Sequence, residues 1–241
     1  MALKVDVIVS TGTPSAVAAS NATRVIPILI VTVGDPVGSG LVASLARPGG
    51  NVTGLTQLTS ELISKRLDLL RQLVPRMRRV GLLYDPNNQA DVLTLTRFES
   101  GCLKLNLQPI RAPARKTEEI AVAFKTLARD KAEGLIVAAS SVNNASQNII
   151  IEHAAKHRLP AAYGRNDYAV AGGLFLYAAD SIDLNRRAAT YVDKIFKGAK
   201  PGDLPIEQPM RFEFVLNMKT AKALGLKIPG SILVQVTKII E

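Results

Sequence analysis

Short apolar runs alternate with amphipathic stretches along the whole chain. The first run, residues 5–10 (VDVIVS), is rich in β-branched side chains and leads into Thr11-Gly-Thr-Pro. This combination is typical of a buried parallel strand that turns into a helix. Thr13 is the predicted N-cap of that helix and Pro14 its first residue. The same succession of strand and helix recurs downstream, which predicts an α/β fold.

The predicted elements form two series, separated by a polar, glycine-rich break at residues 49–59. Strands are predicted at residues 5–10, 26–33, 80–84, 107–112, 134–139, 160–163, 173–177 and 211–216. After the helix that starts at Thr13, further helices are predicted at residues 41–46, 60–73, 90–103, 117–129, 147–156, 182–197 and 218–224. Strands spaced by such helices form parallel sheets with helices on both faces. We therefore predict two doubly wound, Rossmann-like lobes.

Polar side chains cluster in the segments that follow the predicted strands. Ligands of doubly wound sheets bind outside the carboxyl ends of the strands, so these segments form the candidate binding site. The candidates of the first series are Thr11, Gly12, Thr13, Asp35 and Pro36, and those of the second series are Tyr84, Asn87, Asn88, Ser140, Tyr163 and Tyr177. The competing interpretation is that the Asn, Asp and Ser residues only cap helices and form turns.

Three of these candidates are tyrosines at strand ends, namely Tyr84, Tyr163 and Tyr177. The hydroxyl of a tyrosine that ends a buried strand needs a hydrogen-bond partner or contact with water, and a binding cleft provides either. Together with the neutral hydrogen-bonding side chains, these rings suit a small polar or aromatic solute. Sugars that stack on aromatic rings fit the same pattern.

The net charge of +10 raises nucleic acid as a partner. The basic residues are scattered, however, aromatic residues make up only 5% of the chain, and tryptophan is absent. A base-stacking platform is therefore not expected, and we predict no nucleic-acid partner. Cys102 is the single cysteine, which excludes an internal disulfide and a CxxC metal site, and we interpret it as a buried structural thiol.

Catalytic motifs are missing from the sequence. His153 and His157 are the two histidines, four residues apart on a predicted helix, and without an HExxH pattern we interpret them as a solvated helix end. There is no GxSxG elbow, and residues 34–40 (GDPVGSG) match neither GxGxxG nor a P-loop. We interpret residues 34–40 as a turn whose amides approach a polar ligand. We therefore expect a non-enzyme with no catalytic residue, metal or cofactor.

Five stretches together resemble the ABC transporter substrate-binding protein family, whose members include components that bind tryptophan and other amino acids. They are residues 5–19 (VDVIVSTGTPSAVAA), 26–56 (IPILIVTVGDPVGSGLVASLARPGGNVTGLT), 65–75 (KRLDLLRQLVP), 159–174 (LPAAYGRNDYAVAGGL) and 186–226 (RRAATYVDKIFKGAKPGDLPIEQPMRFEFVLNMKTAKALGL). The resemblance covers essentially the whole chain and implies the type I periplasmic binding protein fold.

The resemblance also implies a function. Such a protein captures a small organic solute, an amino acid or an aromatic compound, in a cleft between two lobes outside the cytoplasm, and delivers it to an ABC permease in the membrane. The chain of such a protein crosses between the lobes three times through hinge segments. On that pattern, lobe one contains residues 1–57 and 179–203, and lobe two contains residues 58–178 and 204–241.

The N-terminus departs from the family's pattern. Members normally begin with a signal peptide and a further strand–helix unit, whereas Met1-Ala-Leu-Lys leads directly into a strand, without a signal peptide. We therefore expect a shortened first lobe that lacks its opening strand and helix, through natural variation, a gene-start error or truncation. The exposed sheet edge would then pair two copies into a homodimer.

Three other interpretations stay open at this point. A ligand-sensing regulatory domain has the same fold but works with an upstream helix-turn-helix segment, and the sequence contains none. A truncated variant would keep the fold without binding a solute. A small enzyme on a doubly wound fold would lose its turnover when Asp35 or His153 is replaced.

Overall fold

The computed structural model describes residues 4–241, apart from the side chain of Asn166, and the chain divides into two compact units. Unit 1 consists of residues 4–58 and 179–212, and unit 2 consists of residues 59–178 and 213–241. The chain therefore passes from one unit to the other after residues 58, 178 and 212. Parallel strands alternate with helices in both units, which confirms the predicted α/β class.

The strands and helices follow one another as predicted for most of the chain. The strands are β1 (Ile8–Ser10), β2 (Ile28–Val33), β3 (Val52–Thr56), β4 (Arg79–Tyr84), β5 (Gln108–Pro113), β6 (Gly134–Val137), β7 (Ala161–Tyr163), β8 (Phe175–Ala179), β9 (Phe212–Asn217) and β10 (Lys238–Ile240). The helices are α1 (Thr13–Ala22), α2 (Thr59–Leu73), α3 (Gln89–Lys104), α4 (Ile120–Arg129), α5 (Ser141–Ala145), α6 (Gln147–Lys156), α7 (Asn166–Val170), α8 (Ser181–Phe196), α9 (Met218–Ala223) and α10 (Gly230–Leu233). Short 3₁₀ turns occupy Thr117–Glu119 and Pro201–Asp203.

Strand β2 is the centre of unit 1. It pairs in parallel with β1 on one side and β3 on the other. Because successive side chains of a strand point to opposite faces, Ile30 joins a cluster with Ala16 of α1, whereas Leu29 joins a cluster with Leu184 of α8. A strand covered by helices on both faces is what its continuous apolar run predicts.

Strand β1 is shorter and more exposed than predicted. It spans only Ile8–Ser10, and the side chain of Val9 is 56% exposed. It lies at one edge of the three-stranded sheet, whose order is β1-β2-β3. The prediction of a fully buried strand at residues 5–10 is therefore wrong.

The glycine-rich break predicted at residues 49–59 contains the buried strand β3. Gly54 lies in this strand with φ +135°, and a Cβ atom on it would lie 2.0 Å from the carbonyl oxygen of Ile30. Glycine at this position allows the close approach of β2 and β3 instead of marking a loop. Residues 49–59 are therefore not one continuous loop as predicted, although the boundary between the two units does fall within them, after residue 58.

Two local predictions near the first loops are also wrong. Residues 41–46 form bends and irregular backbone instead of a helix. The N-cap of α1 is Gly12, not Thr13, and the hydroxyl of Thr13 accepts a hydrogen bond from the amide of Gly34 at 3.4 Å. Pro14 does lie in the first turn of α1, where its missing N–H costs nothing.

Unit 2 is built on a seven-stranded sheet of order β10-β9-β8-β7-β6-β4-β5. Leu82 on one face of β4 packs in a cluster with Leu67 of α2 and Phe98 of α3, whereas Leu83 on the other face packs with Phe124 of α4. The sheet therefore has an apolar layer on each face. Cys102 is buried in the first of these layers, as predicted.

Residues 204–212, predicted to lie in the second lobe, belong to unit 1. The amide of Ile206 donates to the carbonyl oxygen of Leu45 at 2.7 Å, and the amide of Glu207 donates to that of Gly54 at 2.9 Å. These backbone bonds attach the segment to unit 1, which corrects the predicted boundary. In residues 4–241, no helix combines the length and the apolar character needed to cross a membrane.

Candidate ligand-binding site

The five candidates of unit 1 lie in two adjacent loops at the carboxyl end of its sheet. Thr11, Gly12 and Thr13 follow β1, and Asp35 and Pro36 follow β2. The bond between the Gly34 amide and the Thr13 hydroxyl ties the two loops together. The structure thus brings these five residues into one region, as expected for neighbouring parallel strands.

Asp35 organises the second of these loops. Its carboxylate accepts a hydrogen bond from the amide of Gly38 at 2.8 Å, and its carbonyl oxygen accepts one from the amide of Ser39 at 3.0 Å. The carbonyl oxygen of Pro36 accepts hydrogen bonds from the amides of Leu41 and Val42. The loop that the sequence marks by its glycines is therefore a hydrogen-bonded turn, held in shape by Asp35.

The candidates Asn88 and Ser140 of unit 2 cap helices. The Asn88 side chain accepts a hydrogen bond from the amide of Ala90 at the start of α3, and the Ser140 hydroxyl accepts one from the amide of Asn143 at the start of α5. Both residues are buried, whereas Asn87 is exposed. The capping interpretation therefore holds for Asn88 and Ser140.

Asp91, which sequence reasoning missed, joins these caps into one polar network. Its carboxylate accepts hydrogen bonds from the amide of Asp85 at 2.8 Å and from the side-chain amide of Asn88 at 3.2 Å. Burial raises the pKa of Asp91 to about 7, and the charge of Asp85 adds to this, while hydrogen bonds from the Asp85 amide and Ser140 oppose it. The spacing Asn88-x-x-Asp91 resembles a capping box, and this pattern could have identified Asp91 from the sequence.

The three tyrosines lie in different surroundings. Tyr163 is 1% exposed and stacks on Tyr168 at 4.5 Å between ring centroids, and burial raises the pKa of its hydroxyl. Tyr84 is also buried in the core, whereas Tyr177 is half-buried and meets the ring of Phe214 edge-on. Tyr84 and Tyr163 therefore contribute to the core of unit 2, and Tyr177 is the most exposed of the three.

Arg66 is the second residue that sequence reasoning missed. It lies on the apolar face of α2, one turn after Ile63 and one turn before Leu70, and it is only 1% exposed. Its Nε donates a hydrogen bond to the carbonyl oxygen of Tyr177 at 2.7 Å. Burial lowers the pKa of Arg66 to about 10, so the guanidinium stays charged at neutral pH. An arginine at a helical spacing from apolar residues of the same helix face could have been recognised in the sequence as a buried charge.

The two histidines are packed against an aromatic ring. The rings of His153 and His157 stack with Phe124 of α4 at centroid distances of 5.0 and 5.9 Å. Burial lowers the pKa of His153, and the neighbouring His157 lowers it further. Within residues 4–241, no group of three or more His, Cys, Asp or Glu side chains is arranged to hold a metal ion.

Several known proteins resemble this chain. A tyrosine-binding protein of Clostridioides difficile strain R20291 is 30% identical over 224 residues, which are 93% of this chain and 64% of that protein. The ABC domain from Streptococcus pneumonia in complex with L-Trp is 26% identical with a TM-score of 0.90, over 98% of this chain and 81% of that one. A conserved domain protein from Vibrio cholerae is 27% identical with a TM-score of 0.93, over 98% and 79%.

The sequence also matches a family as a whole. Residues 1–240 match the family described as "ABC transporter substrate binding protein". This match covers both units, including the segments of unit 1 that are far apart in the sequence. It agrees with the resemblance drawn from the five sequence stretches. The chain therefore belongs to the ABC transporter substrate-binding protein family.

Proposed function

We propose that this protein captures an aromatic α-amino acid outside the cytoplasm and delivers it to the permease of an ABC importer. The observation that carries the proposal is the family match over residues 1–240. The choice of ligand is supported by two relatives, one named as a tyrosine-binding protein and one solved in complex with L-Trp. The family is one of binding proteins, which agrees with the missing catalytic motifs.

The proposed ligand contacts come from the carboxyl ends of the parallel strands, where α/β folds bind their ligands. In unit 1 these are the loops that hold Thr11, Gly12, Thr13, Asp35 and Pro36, joined by the bond between Gly34 and Thr13. In unit 2 they are the segments that hold Asn87, Asn88, Ser140 and Tyr177. Tyr84 and Tyr163 are proposed to shape this region from within the core.

Fluorescence offers a direct test, because the chain contains no tryptophan. Selective excitation of the indole therefore reports on L-tryptophan alone. We expect a saturable change in its emission when the protein is added, and competition by L-tyrosine. L-leucine and ribose serve as control solutes. Calorimetric binding of ribose or L-leucine, without any binding of L-tryptophan or L-tyrosine, would contradict the proposed ligand.

The permease partner is tested in cells. We expect that cells without this protein take up less radiolabelled L-tryptophan or L-tyrosine, and that a plasmid copy of the complete gene restores uptake. Uptake that is unchanged by the deletion would count against a role in import, whatever the binding measurements show.

We also propose that two copies pair through the edge formed by β1. The support is the position of β1 at the end of the sheet order and the exposure of Val9 in its middle. Sedimentation velocity over a range of concentrations should show a dimer, and Val9→Lys should shift it toward the monomer. A wild-type protein that stays monomeric at every concentration would refute the pairing.

A further inference from the structure

Arg66 is a buried cation whose hydrogen-bonding capacity the protein itself does not use up. A guanidinium has five N–H donors and needs acceptors for them when it leaves water. The Nε of Arg66 has one acceptor, the carbonyl oxygen of Tyr177. The Nη2 atom is buried as well and has no hydrogen-bond partner among the described residues. Leaving such a charged donor unsatisfied is costly, so an acceptor from outside the chain is expected.

No acidic side chain neutralises Arg66 within the part of the chain that the structure describes. The groups that shift its pKa are burial, which lowers it, and Tyr177, which raises it. Aspartate and glutamate are absent from these causes, and none forms an ion pair with Arg66 at residues 4–241. Buried arginines are normally paired with a carboxylate or a phosphate. Arg66 therefore carries a positive charge without its usual counter-ion.

The unpaired atom lies at the edge of the sheet where ligands bind. Gly164 directly follows β7, and Nη2 of Arg66 lies 3.0 Å from the position that a Cβ atom would take there. Ala139, which follows β6, lies 3.3 Å from the same position. The bond to Tyr177 places the other side of the guanidinium at β8. Arg66 thus contacts the chain just after β7 and the backbone of β8, two neighbouring strands of the sheet.

We propose that Nη2 of Arg66 binds the carboxylate of the captured amino acid. This inference rests on the proposed function, because it assigns the group that recognises the acid part of that ligand. The bond from Nε to Tyr177 fixes the plane of the guanidinium, so that Nη2 is oriented before the ligand arrives. The missing side chain of Gly164 lets the guanidinium lie close to the backbone at the end of β7. A charge-assisted hydrogen bond then replaces the counter-ion that the protein lacks.

The test compares each amino acid with the amine that lacks its carboxylate. Isothermal titration calorimetry measures L-tryptophan against tryptamine, and L-tyrosine against tyramine, with the wild-type protein and with Arg66→Met. We expect the wild type to prefer the amino acids. In Arg66→Met, the affinity for the amino acids should fall about 10- to 100-fold, the range for a hydrogen bond to a charged group. The affinity for the amines should change less than about threefold, so the preference is lost.

Arg71→Met is the matched control, since Arg71 lies on the same helix and donates hydrogen bonds to the carbonyl oxygens of Pro75 and Met77. It should leave the preference unchanged. Arg66→Lys keeps the positive charge but lacks the planar guanidinium, so it should retain part of the preference for amino acids over amines. Circular dichroism establishes that each variant is folded.

The outcomes separate this inference from the proposed function. If Arg66→Met weakens amino acids and amines equally, Arg66 has a structural role and the inference fails, while the proposed function stands. If the wild type binds amine and amino acid equally well, the inference fails without any variant. If the wild type binds only uncharged solutes, such as ribose, both the inference and the proposed ligand fail.

Discussion

At Gly54, the backbone of unit 1 leaves no room for a side chain. Its φ of +135° lies in a region that other residues rarely adopt, and a Cβ atom would overlap the carbonyl group of Ile30 on the neighbouring strand. Because that contact is with backbone, a flexible side chain cannot move aside to relieve it. A side chain at residue 54 should therefore weaken the pairing of β2 with β3.

We expect Gly54→Ala to lower the free energy of unfolding by about 3 kcal/mol or more, since steric overlap and backbone strain add. Gly50→Ala is the control, because a Cβ atom on Gly50 meets no atom within 4 Å, and it should change stability by less than about 0.5 kcal/mol. Urea unfolding of both variants measures the difference. Equal effects of the two substitutions would show that the contact with Ile30 is not the cause.

Asp91 should make stability depend on pH. Its folded-state pKa of about 7 lies above the ordinary value of 3.8, so the folded protein binds its proton more tightly than the unfolded chain does. The stability from this proton is fully present below pH 3.8 and is lost as the pH rises through about 7.

We therefore expect the unfolding free energy of the wild type to fall, relative to that of Asp91→Asn, as the pH rises from 3.8 to about 7. Above that range, the difference between the two proteins should be constant. Chemical unfolding at a series of pH values measures both. Parallel curves for the two proteins across this range would disprove the assignment.

At the scale of elements, α8 shows how one side chain starts a long helix. Asp180 is its N-cap, and its carboxylate accepts hydrogen bonds from the amides of Ile182 at 2.9 Å and Asp183 at 3.0 Å. Four amides at a helix start lack a partner within the helix, and this residue satisfies two of them. Behind the cap, Leu184 and Tyr191 of α8 are buried in the core of unit 1.

We expect Asp180→Ala to lower the unfolding free energy by about 1 kcal/mol, the usual value of an N-cap. Asp180→Asn keeps an acceptor oxygen and should retain most of the stability. Asp193→Ala is a further control on the same helix, because it removes only an exposed pair with Lys197, worth about 0.5 kcal/mol or less. Thermal and urea unfolding measure all three. A loss in Asp180→Asn as large as in Asp180→Ala would point away from capping.

Elements with a clear periodicity of apolar residues were predictable from the sequence, whereas elements that depend on contacts with distant segments of the chain were not. Helix α6 agrees with its predicted bounds, and α2 begins one residue before them, because apolar residues at helical spacing are a local signal. Strand β3 was missed, since glycine in a strand is interpretable only when the neighbouring backbone is known. The prediction of a helix at residues 41–46 is wrong for the converse reason: apolar Leu41, Val42 and Leu45 pack on the core of unit 1 from an irregular segment.

At the scale of the whole molecule, each unit has its own buried core. A ligand that binds only the folded protein raises the free energy of unfolding by RT ln(1 + [L]/Kd). At a hundredfold excess over Kd, this amounts to about 2.7 kcal/mol.

We therefore expect L-tryptophan or L-tyrosine to raise the midpoint of thermal unfolding, and to raise it further with each increase in ligand concentration. Differential scanning calorimetry measures the shift, with L-leucine as the control solute. A midpoint that is the same at all concentrations of the aromatic amino acids would contradict their binding to the folded state.

The sequence alone determined the fold class, the family and the loops at the strand ends. Periodicity and short motifs are local, and both can be read without knowing which residues meet in space. The tertiary structure alone decided the placement of residues 204–212, which the hydrogen bond from Thr53 to Leu204 attaches across 151 positions of sequence. It also decided that Arg66 of α2 lies beside Tyr177 and Gly164. Such contacts depend on strand order and register, which no stretch of the chain encodes by itself.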